Sequence, residues 1–105
     1  MGKQAVNKGA GKIQHSLIAV SLLRAIATVM TDSARSGKYQ RENWRKGLPW
    51  HEVYDKIQRH LTDFWDRKDV DPDSGRKALW HAACCLMILL EYDDRGLGVD
   101  DRWKP

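Results

Sequence analysis

Apolar residues recur three and four positions apart in three separate stretches of this 105-residue chain. This spacing places the apolar side chains on one side of an α-helix. The first stripe runs from Ala19 to Met30, the second from Trp50 to Trp65, and the third from Leu79 to Leu90. No stretch shows the strict alternation that is typical of a strand. The sequence therefore predicts an all-α fold, a small helical bundle of three main helices.

Residues at the ends of the stripes predict the helix boundaries. Ser16 can cap the first helix, and Ser36-Gly37 is a stop signal. Pro49 suits the opening of the second helix. In the acidic loop that follows it, either Asp73 or Ser74 can cap the third helix, and Arg95-Gly96-Leu97-Gly98 is predicted to end that helix.

The chain is expected to form one domain preceded by a short arm. Residues 1–14 are rich in Gly, Lys and Gln without periodicity, which predicts a flexible basic arm. Residues 15–105 then form a single helical domain. Because three helices bury little apolar surface by themselves, we expect the bundle to be completed by homo-oligomerisation.

Composition indicates which classes of partner and which cellular compartment suit this chain. The net charge is +4 at pH 7, which favours anionic partners such as phosphates or nucleic acid. The adjacent Cys84 and Cys85 lack disulfide and metal-ligand spacing, so they are interpreted as small core residues in a reducing cytoplasm. Neither apolar segment is long and clean enough to span a bilayer, so no membrane partner is expected.

The segment from Lys38 to Trp50 is the richest in candidate ligand-binding residues. Cations that can bind phosphate oxygens alternate there with aromatic rings that can stack on a base or sugar. An asparagine adds donors and an acceptor that can read a base edge. Alternatively, the tryptophans fill the bundle and the cations are merely solvated. The candidate residues are Lys38, Tyr39, Arg41, Asn43, Trp44, Arg45 and Trp50.

His60 and His81 form a second candidate site. Both lie beside the apolar stripes of their helices, so they could face a shared cleft. There an imidazole can donate to phosphate, act as an acid or base, or ligate a metal. The alternative is that each histidine is a satisfied structural group near the core.

Acidic residues offer only a partial metal site. In the loop Asp69-x-Asp71-x-Asp73, Ser74 and Trp80 stand where a calcium loop needs Gly and Glu, so calcium is excluded. Asp69 or Asp71 could instead hold a magnesium ion or a basic residue. Two further pairs of acids three residues apart, Glu52 with Asp55 and Glu91 with Asp94, could share one helix face but are also common helix surface.

An ordered set of motifs resembles a known family. The chain is similar to the small phage-encoded family labelled dATP/dGTP diphosphohydrolase, N-terminal domain. The resemblance implies a bacteriophage or prophage protein that works on nucleotides in the host cytoplasm, and it adds Arg59 to the candidate ligand-binding residues. The motifs that carry it are Lys38-Tyr39, Asn43-Trp44, Gly47, Trp50, Arg59-His60-Leu61, Asp69, Asp71-Pro72, Ser74-Gly75, His81-Ala82-Ala83-Cys84-Cys85 and Leu90-Glu91-Tyr92.

Two functions follow as hypotheses. The first is a binder that captures a phosphorylated nucleotide, including a host-defence signal, and needs no cofactor. The second is a magnesium-dependent dNTP phosphohydrolase, in which His60, His81, Asp69 and Asp71 react or hold the metal. Direct DNA or RNA binding ranks below both, because the cations lie in a loop and no helix is basic along one face.

Overall fold

The computed structural model describes residues 4–6, 8–9 and 11–105. Its main elements are α1 (Val20–Arg35), α2 (Trp50–Trp65) and α3 (Ala78–Arg95), with short 3₁₀-helices at His15–Leu17 and Asn43–Lys46. The described residues form no strand beyond two isolated bridges, Pro49 with Val99 and Val70 with Lys77. The predicted all-α fold with three main helices is confirmed.

Helix α3 packs against both other helices. Its contact with α2 contains the core cluster of Val53, Ile57 and Tyr92, of which Tyr92 is completely buried. On the α1 side, the Sγ atom of Cys84 lies 3.3 Å from the Sδ atom of Met30. The two cysteines are free thiols, Cys84 buried and Cys85 partly buried, which agrees with their interpretation as core residues.

The C-terminal tail crosses the start of α2 at very short range. The Trp50 N–H donates to the Val99 carbonyl (2.9 Å), and the Val99 N–H donates to the Leu48 carbonyl (3.3 Å). A Cβ atom on Gly98 would lie 2.3 Å from the Leu48 oxygen, and one on Gly47 would lie 2.4 Å from the Gly98 nitrogen. Both glycines have positive φ, so only glycine fits this crossing.

Three predicted boundaries are confirmed and two predicted caps are wrong. Helix α1 ends at Arg35 before Gly37, Pro49 immediately precedes α2, and Gly96 in the left-handed region ends α3. Ser16 instead lies in the first 3₁₀-helix, and α1 begins at Val20 without a side-chain cap.

The acidic loop does not cap α3, which begins at Ala78 after Lys77. Its polar groups bond inside the loop instead. The Asp73 N–H donates to the Asp71 carboxylate (2.8 Å), and the Arg76 N–H donates to Ser74 Oγ (3.1 Å). The turn was therefore predicted correctly, but the helix starts three or more residues later because the loop satisfies its own side chains.

The predicted inward stripes are only partly buried. Val53, Ile57 and Ala82 are buried as expected. Many of the larger members of the stripes are exposed, including Leu23 (68%), Leu86 (55%) and Leu90 (56%). The predicted inward position of these leucines is wrong for this single chain, because α1 packs through the small Ala25 and α3 through Ala78, Ala82 and Tyr92.

The predicted arm, residues 1–14, lies partly outside the described residues. In its described part, the Lys12 N–H donates to the Gly9 carbonyl (3.2 Å). None of the helices in the described part of the chain is both long enough and apolar enough to cross a membrane.

Candidate functional site

A pocket of about 410 Å³ opens between the end of α1, the segment that joins α1 to α2, and the facing sides of α2 and α3. We call it the loop pocket. It collects four of the ligand-binding residues predicted from the sequence, namely Tyr39, Arg41, Asn43 and Trp44. This grouping was predictable from the sequence, because the four residues lie within six consecutive positions.

The floor of the loop pocket is apolar. Val29 and Met30 of α1 and Cys84 and Ile88 of α3 line it. Burial raises the pKa of the Cys84 thiol to about 12, so this sulfur stays protonated at neutral pH. The floor can therefore shield an aromatic ring from water but supplies no nucleophile.

The rim of the loop pocket is polar and carries both signs of charge. The Arg41 side chain is 88% exposed, and its only ion pair among the described residues is a 3.5 Å contact with the neighbouring Glu42. Exposed pairs of this kind are weak, so the guanidinium is available to an anion. Lys56 and Glu52 of α2 line the same pocket as Arg41.

Sequence reasoning missed Lys56 and Glu52 as pocket residues. Glu52 was considered only as half of an acid pair with Asp55. The two side chains lie four residues apart on the polar side of α2, a spacing that puts them on one helix face. That spacing was visible in the sequence, but nothing in it linked this face to the loop.

Trp44 is held in place from two sides. Its backbone carbonyl accepts a hydrogen bond from the buried Tyr92 hydroxyl (2.6 Å). The Arg45 guanidinium lies over its indole ring, 4.4 Å from the ring centroid, and also bonds the Glu42 carboxylate. Arg45 does not line the pocket, so its observed contact is with the tryptophan and not with the cavity. Such a fixed ring is suited to stacking, because little rotamer freedom is left to lose.

Other predicted ligand-binding residues lie outside the loop pocket. The Lys38 ammonium lies 5.3 Å from the Tyr39 ring centroid. Trp50 lines a different groove, where its indole N–H donates to the Leu97 carbonyl (2.8 Å) and Arg102 lies over its ring. Arg59 is exposed on α2 and borders neither cavity.

The structure brings His60 and His81 together. Their rings stack with centroids 5.0 Å apart and planes inclined by 20°. The His81 Nε2 atom lies 2.7 Å from Ser74 Oγ and 3.7 Å from the Asp71 carboxylate. We call these four residues the histidine cluster. Neither histidine lines the loop pocket, so the two candidate sites of the sequence are spatially separate.

Burial and the neighbouring charge of His81 lower the pKa of His60. A lowered value keeps this imidazole neutral at pH 7, where it can accept a proton. The Ser74 oxygen accepts the Arg76 N–H through a lone pair, so the hydroxyl hydrogen can be donated to His81 Nε2. The cluster therefore has the groups for proton transfer or for binding an anion.

Next to the cluster, Arg76 bonds Asp32 of α1 through two nitrogens, at 2.8 and 3.2 Å. The hydrogen bond to Arg76 holds the pKa of the Asp32 carboxyl below its usual range. This link between α1 and the acidic loop was missed from the sequence, because 44 positions separate its residues.

We next consider whether the residues that the structure describes could hold a resident magnesium ion. No group of three His, Cys, Asp or Glu side chains in this part of the chain is placed to hold a metal ion. The Asp71 carboxylate accepts the Asp73 N–H and lies 3.7 Å from His81 Nε2. The magnesium role of Asp69 and Asp71 stays a prediction.

The fold and the pocket define a small all-α domain with an apolar, aromatic cavity rimmed by cations. The sequence model of the family described as dATP/dGTP diphosphohydrolase, N-terminal, matches residues 2–102, and the chain belongs to this family. The resemblance inferred from the motifs is thereby confirmed.

One curated relative carries the family's activity in its name. A Salmonella phage PMBT28 protein named dATP/dGTP diphosphohydrolase is 30% identical over 95 residues. The match covers 90% of this chain but only 32% of the relative, so the chain spans about a third of that protein's length. No solved structure matches the chain significantly.

Proposed function

We propose that this chain is the nucleotide-recognising domain of a dATP/dGTP diphosphohydrolase and that the loop pocket binds a purine deoxynucleoside triphosphate. One observation carries the proposal. Four residues selected from the sequence for nucleotide chemistry line a single cavity of about 410 Å³. Cavities of roughly 300–1,000 Å³ are typical of small-molecule sites.

Each part of the nucleotide has a counterpart in the pocket. The base stacks on Trp44 or Tyr39 above the apolar floor. Asn43 offers both a donor and an acceptor, which suits the edge of a purine. Arg41 and Lys56 neutralise the phosphates, and the guanidinium can bind two phosphate oxygens at once. A magnesium ion brought by the triphosphate belongs to the substrate in this arrangement.

Hydrolysis is proposed from the family and from the name of the phage relative. In this chain, the histidine cluster offers the groups that could move a proton, but it lies outside the loop pocket. The alternative function is capture without hydrolysis, such as sequestration of a host-defence nucleotide. This alternative needs only the recognition groups that line the loop pocket.

A nucleotide panel tests the proposal. The purified chain is titrated calorimetrically with dATP, dGTP, dCTP, dTTP, ATP and GTP, in magnesium and in EDTA. We expect the purine deoxynucleotides to bind most tightly. The mixtures are then denatured and chromatographed, where products identify hydrolysis and intact nucleotide identifies capture. Failure of all six nucleotides to bind would refute the proposed pocket function.

Substitutions assign the binding to the loop pocket. Arg41→Ala and Trp44→Ala should each weaken nucleotide binding about tenfold or more, since stacking alone contributes about 1–3 kcal/mol. Lys68→Ala is the matched control, because this exposed lysine pairs with Asp66 and lies outside the pocket lining. Equal losses in all three variants would indicate nonspecific charge attraction.

A further inference from the structure

A second, larger groove lies between α2 and α3. It has a volume of about 610 Å³ and is bordered by the C-terminal tail. We call it the apolar groove. Tyr54 of α2, Leu86 and Leu90 of α3, and Trp103 of the tail supply its exposed apolar wall. No residue of the loop pocket lines it.

The apolar surface continues beyond the groove. Leu61 lies two helical turns after Tyr54 on α2, and Leu79 lies two turns before Leu86 on α3, so each extends the same helix face. Both leucines are about 40% exposed, whereas Trp103 is 85% exposed. The apolar periodicity predicted buried helix faces. In the single chain, these faces form a surface that is exposed to water.

The whole chain exposes more surface than a compact protein of its mass. Its accessible surface is 9116 Å², against about 6,000 Å² expected for a monomer of 12.1 kDa. Its radius of gyration is 17.6 Å, against about 13 Å expected for a compact domain of this length. Exposed residues in the described part of the segment before α1 and the exposed apolar side chains of the helices both contribute to this excess.

The charges at the rim of the groove are mostly paired within the chain. His51 bonds the Asp101 carboxylate, and Arg102 bonds the Asp100 carboxylate at 2.7 and 2.8 Å. A two-fold interface places a surface against its own copy, so a rim of one sign would repel itself. This balanced rim around an apolar centre is compatible with self-association.

We propose that two copies of this chain associate through their apolar grooves, so that α2 and α3 of each copy form a two-fold symmetric four-helix bundle. A standard interface buries about 800 Å² per partner, well within the excess of about 3,000 Å² over a compact monomer. Helices that expose an apolar face reach a stable core when such a bundle closes. The loop pocket, which shares no lining residue with the groove, stays open in the dimer.

Sedimentation equilibrium tests the dimer. The wild-type chain should have about twice the 12.1 kDa mass of one copy. The double variant Leu86→Glu, Leu90→Glu should be monomeric, with self-association weakened at least about 100-fold because buried carboxylates would face each other. Leu23→Glu on α1 is the matched control, because that leucine is 68% exposed and lies outside the groove. It should remain dimeric.

A milder variant and two readouts separate loss of association from loss of folding. Leu90→Ala keeps the face apolar and should weaken the dimer without changing the far-ultraviolet circular dichroism of a fully dissociated sample. Nucleotide titration of each variant should give unchanged affinity, so failure of the dimer and failure of the pocket function are distinguishable.

Three outcomes would overturn the proposal. One is a monomeric wild-type chain at about 100 μM, a concentration far above the dissociation constants of stable dimers. Another is a dimer that Leu23→Glu disrupts and the groove variants do not. The third is a monomer whose groove is instead bound by the separately produced remainder of the Salmonella phage relative, which would assign the groove to that second module.

Discussion

Tyr92 connects the core to the loop pocket through a single hydroxyl. Its ring is completely buried in the core cluster, and its hydroxyl donates to the Trp44 carbonyl. Because the 3₁₀-helix Asn43–Lys46 is too short to be stable alone, this bond helps to hold the backbone that carries the Trp44 ring. The pocket therefore depends on a residue that the sequence placed only within a family motif.

Replacing Tyr92 with phenylalanine should separate packing from hydrogen bonding. Tyr92→Phe keeps the ring but leaves the Trp44 carbonyl without its donor, which should lower the free energy of unfolding by about 1 kcal/mol. Nucleotide affinity should fall as well, because Trp44 loses one restraint. Chemical denaturation and calorimetry measure the two effects. An unchanged free energy of unfolding in Tyr92→Phe would contradict the role assigned to this hydrogen bond.

At the scale of the elements, apolar periodicity predicted the helices but not all their starts. The stops of α1 and α3 follow from the local signals Gly37 and Gly96, and Pro49 marks the start of α2. The starts of α1 and α3 could not be predicted from capping residues, because neither helix has a side-chain cap. The Asp32–Arg76 pair ties the segment before α3 to the last turn of α1, a contact that no local signal predicts.

The candidate site shows the same division between local and distant signals. Tyr39, Arg41, Asn43 and Trp44 could be grouped from the sequence, since they are near neighbours in one segment. The apolar floor and Lys56 come from other helices and could not be assigned to the same cavity. Trp50 shows that closeness in sequence can also mislead. It lies only six residues after Trp44, yet its side chain bonds the Leu97 carbonyl of the tail and does not line the loop pocket.

The crossing of the tail over the start of α2 should be intolerant of any side chain. Gly98→Ala places a Cβ atom 2.3 Å from the Leu48 carbonyl oxygen at a φ of +72°. We expect a loss of unfolding free energy of about 2 kcal/mol or more from clash and strain together. Gly75→Ala is the control, since its φ is +73° but no atom lies within 4 Å of the added carbon. It should cost only about 1 kcal/mol, measured by urea denaturation.

The tail is also tied to α2 by a pair of groups that titrate. The bond to Asp101 raises the pKa of His51 above 6.5, and the bond to His51 lowers the pKa of Asp101 below 3.8. The raised histidine stabilises the fold below pH 6.5, and that contribution is lost as pH rises through its folded pKa. The lowered carboxyl contributes above pH 3.8, and that contribution is lost as pH falls through its folded pKa.

Thermal unfolding as a function of pH should reveal this pair. The difference in Tm between the wild type and His51→Ala should be largest between about pH 4 and 6.5 and should shrink on the alkaline side. His15→Ala is the control, because this histidine lies exposed in the first 3₁₀-helix. A difference that grows steadily toward alkaline pH would contradict the assigned bond.

At the scale of the whole molecule, three separate surfaces carry different kinds of chemical groups. The loop pocket has the aromatic rings and cations, the histidine cluster has the titratable groups, and the apolar groove has the exposed leucines. Because no residue is shared among the three, the proposed nucleotide binding, proton transfer and association can each be tested by separate substitutions.

The separation of pocket and cluster leads to the last prediction. His60→Ala removes a stacked ring outside the loop pocket, so affinity for dGTP should stay within about twofold of the wild type. Trp44→Ala should lower that affinity about tenfold or more. If the chain turns over dGTP, His60→Ala should abolish turnover while binding persists. Calorimetry and product chromatography on both variants provide the measurements, with Lys68→Ala as the control.

Each result of this comparison assigns the function differently. Turnover that disappears in His60→Ala with unchanged affinity would place chemistry in the histidine cluster, and the nucleotide's phosphates would have to extend from the pocket toward it. Binding without turnover in the wild type would place this chain with nucleotide capture. A large loss of affinity in His60→Ala would contradict the separation itself, because it would show that the two sites hold the same ligand.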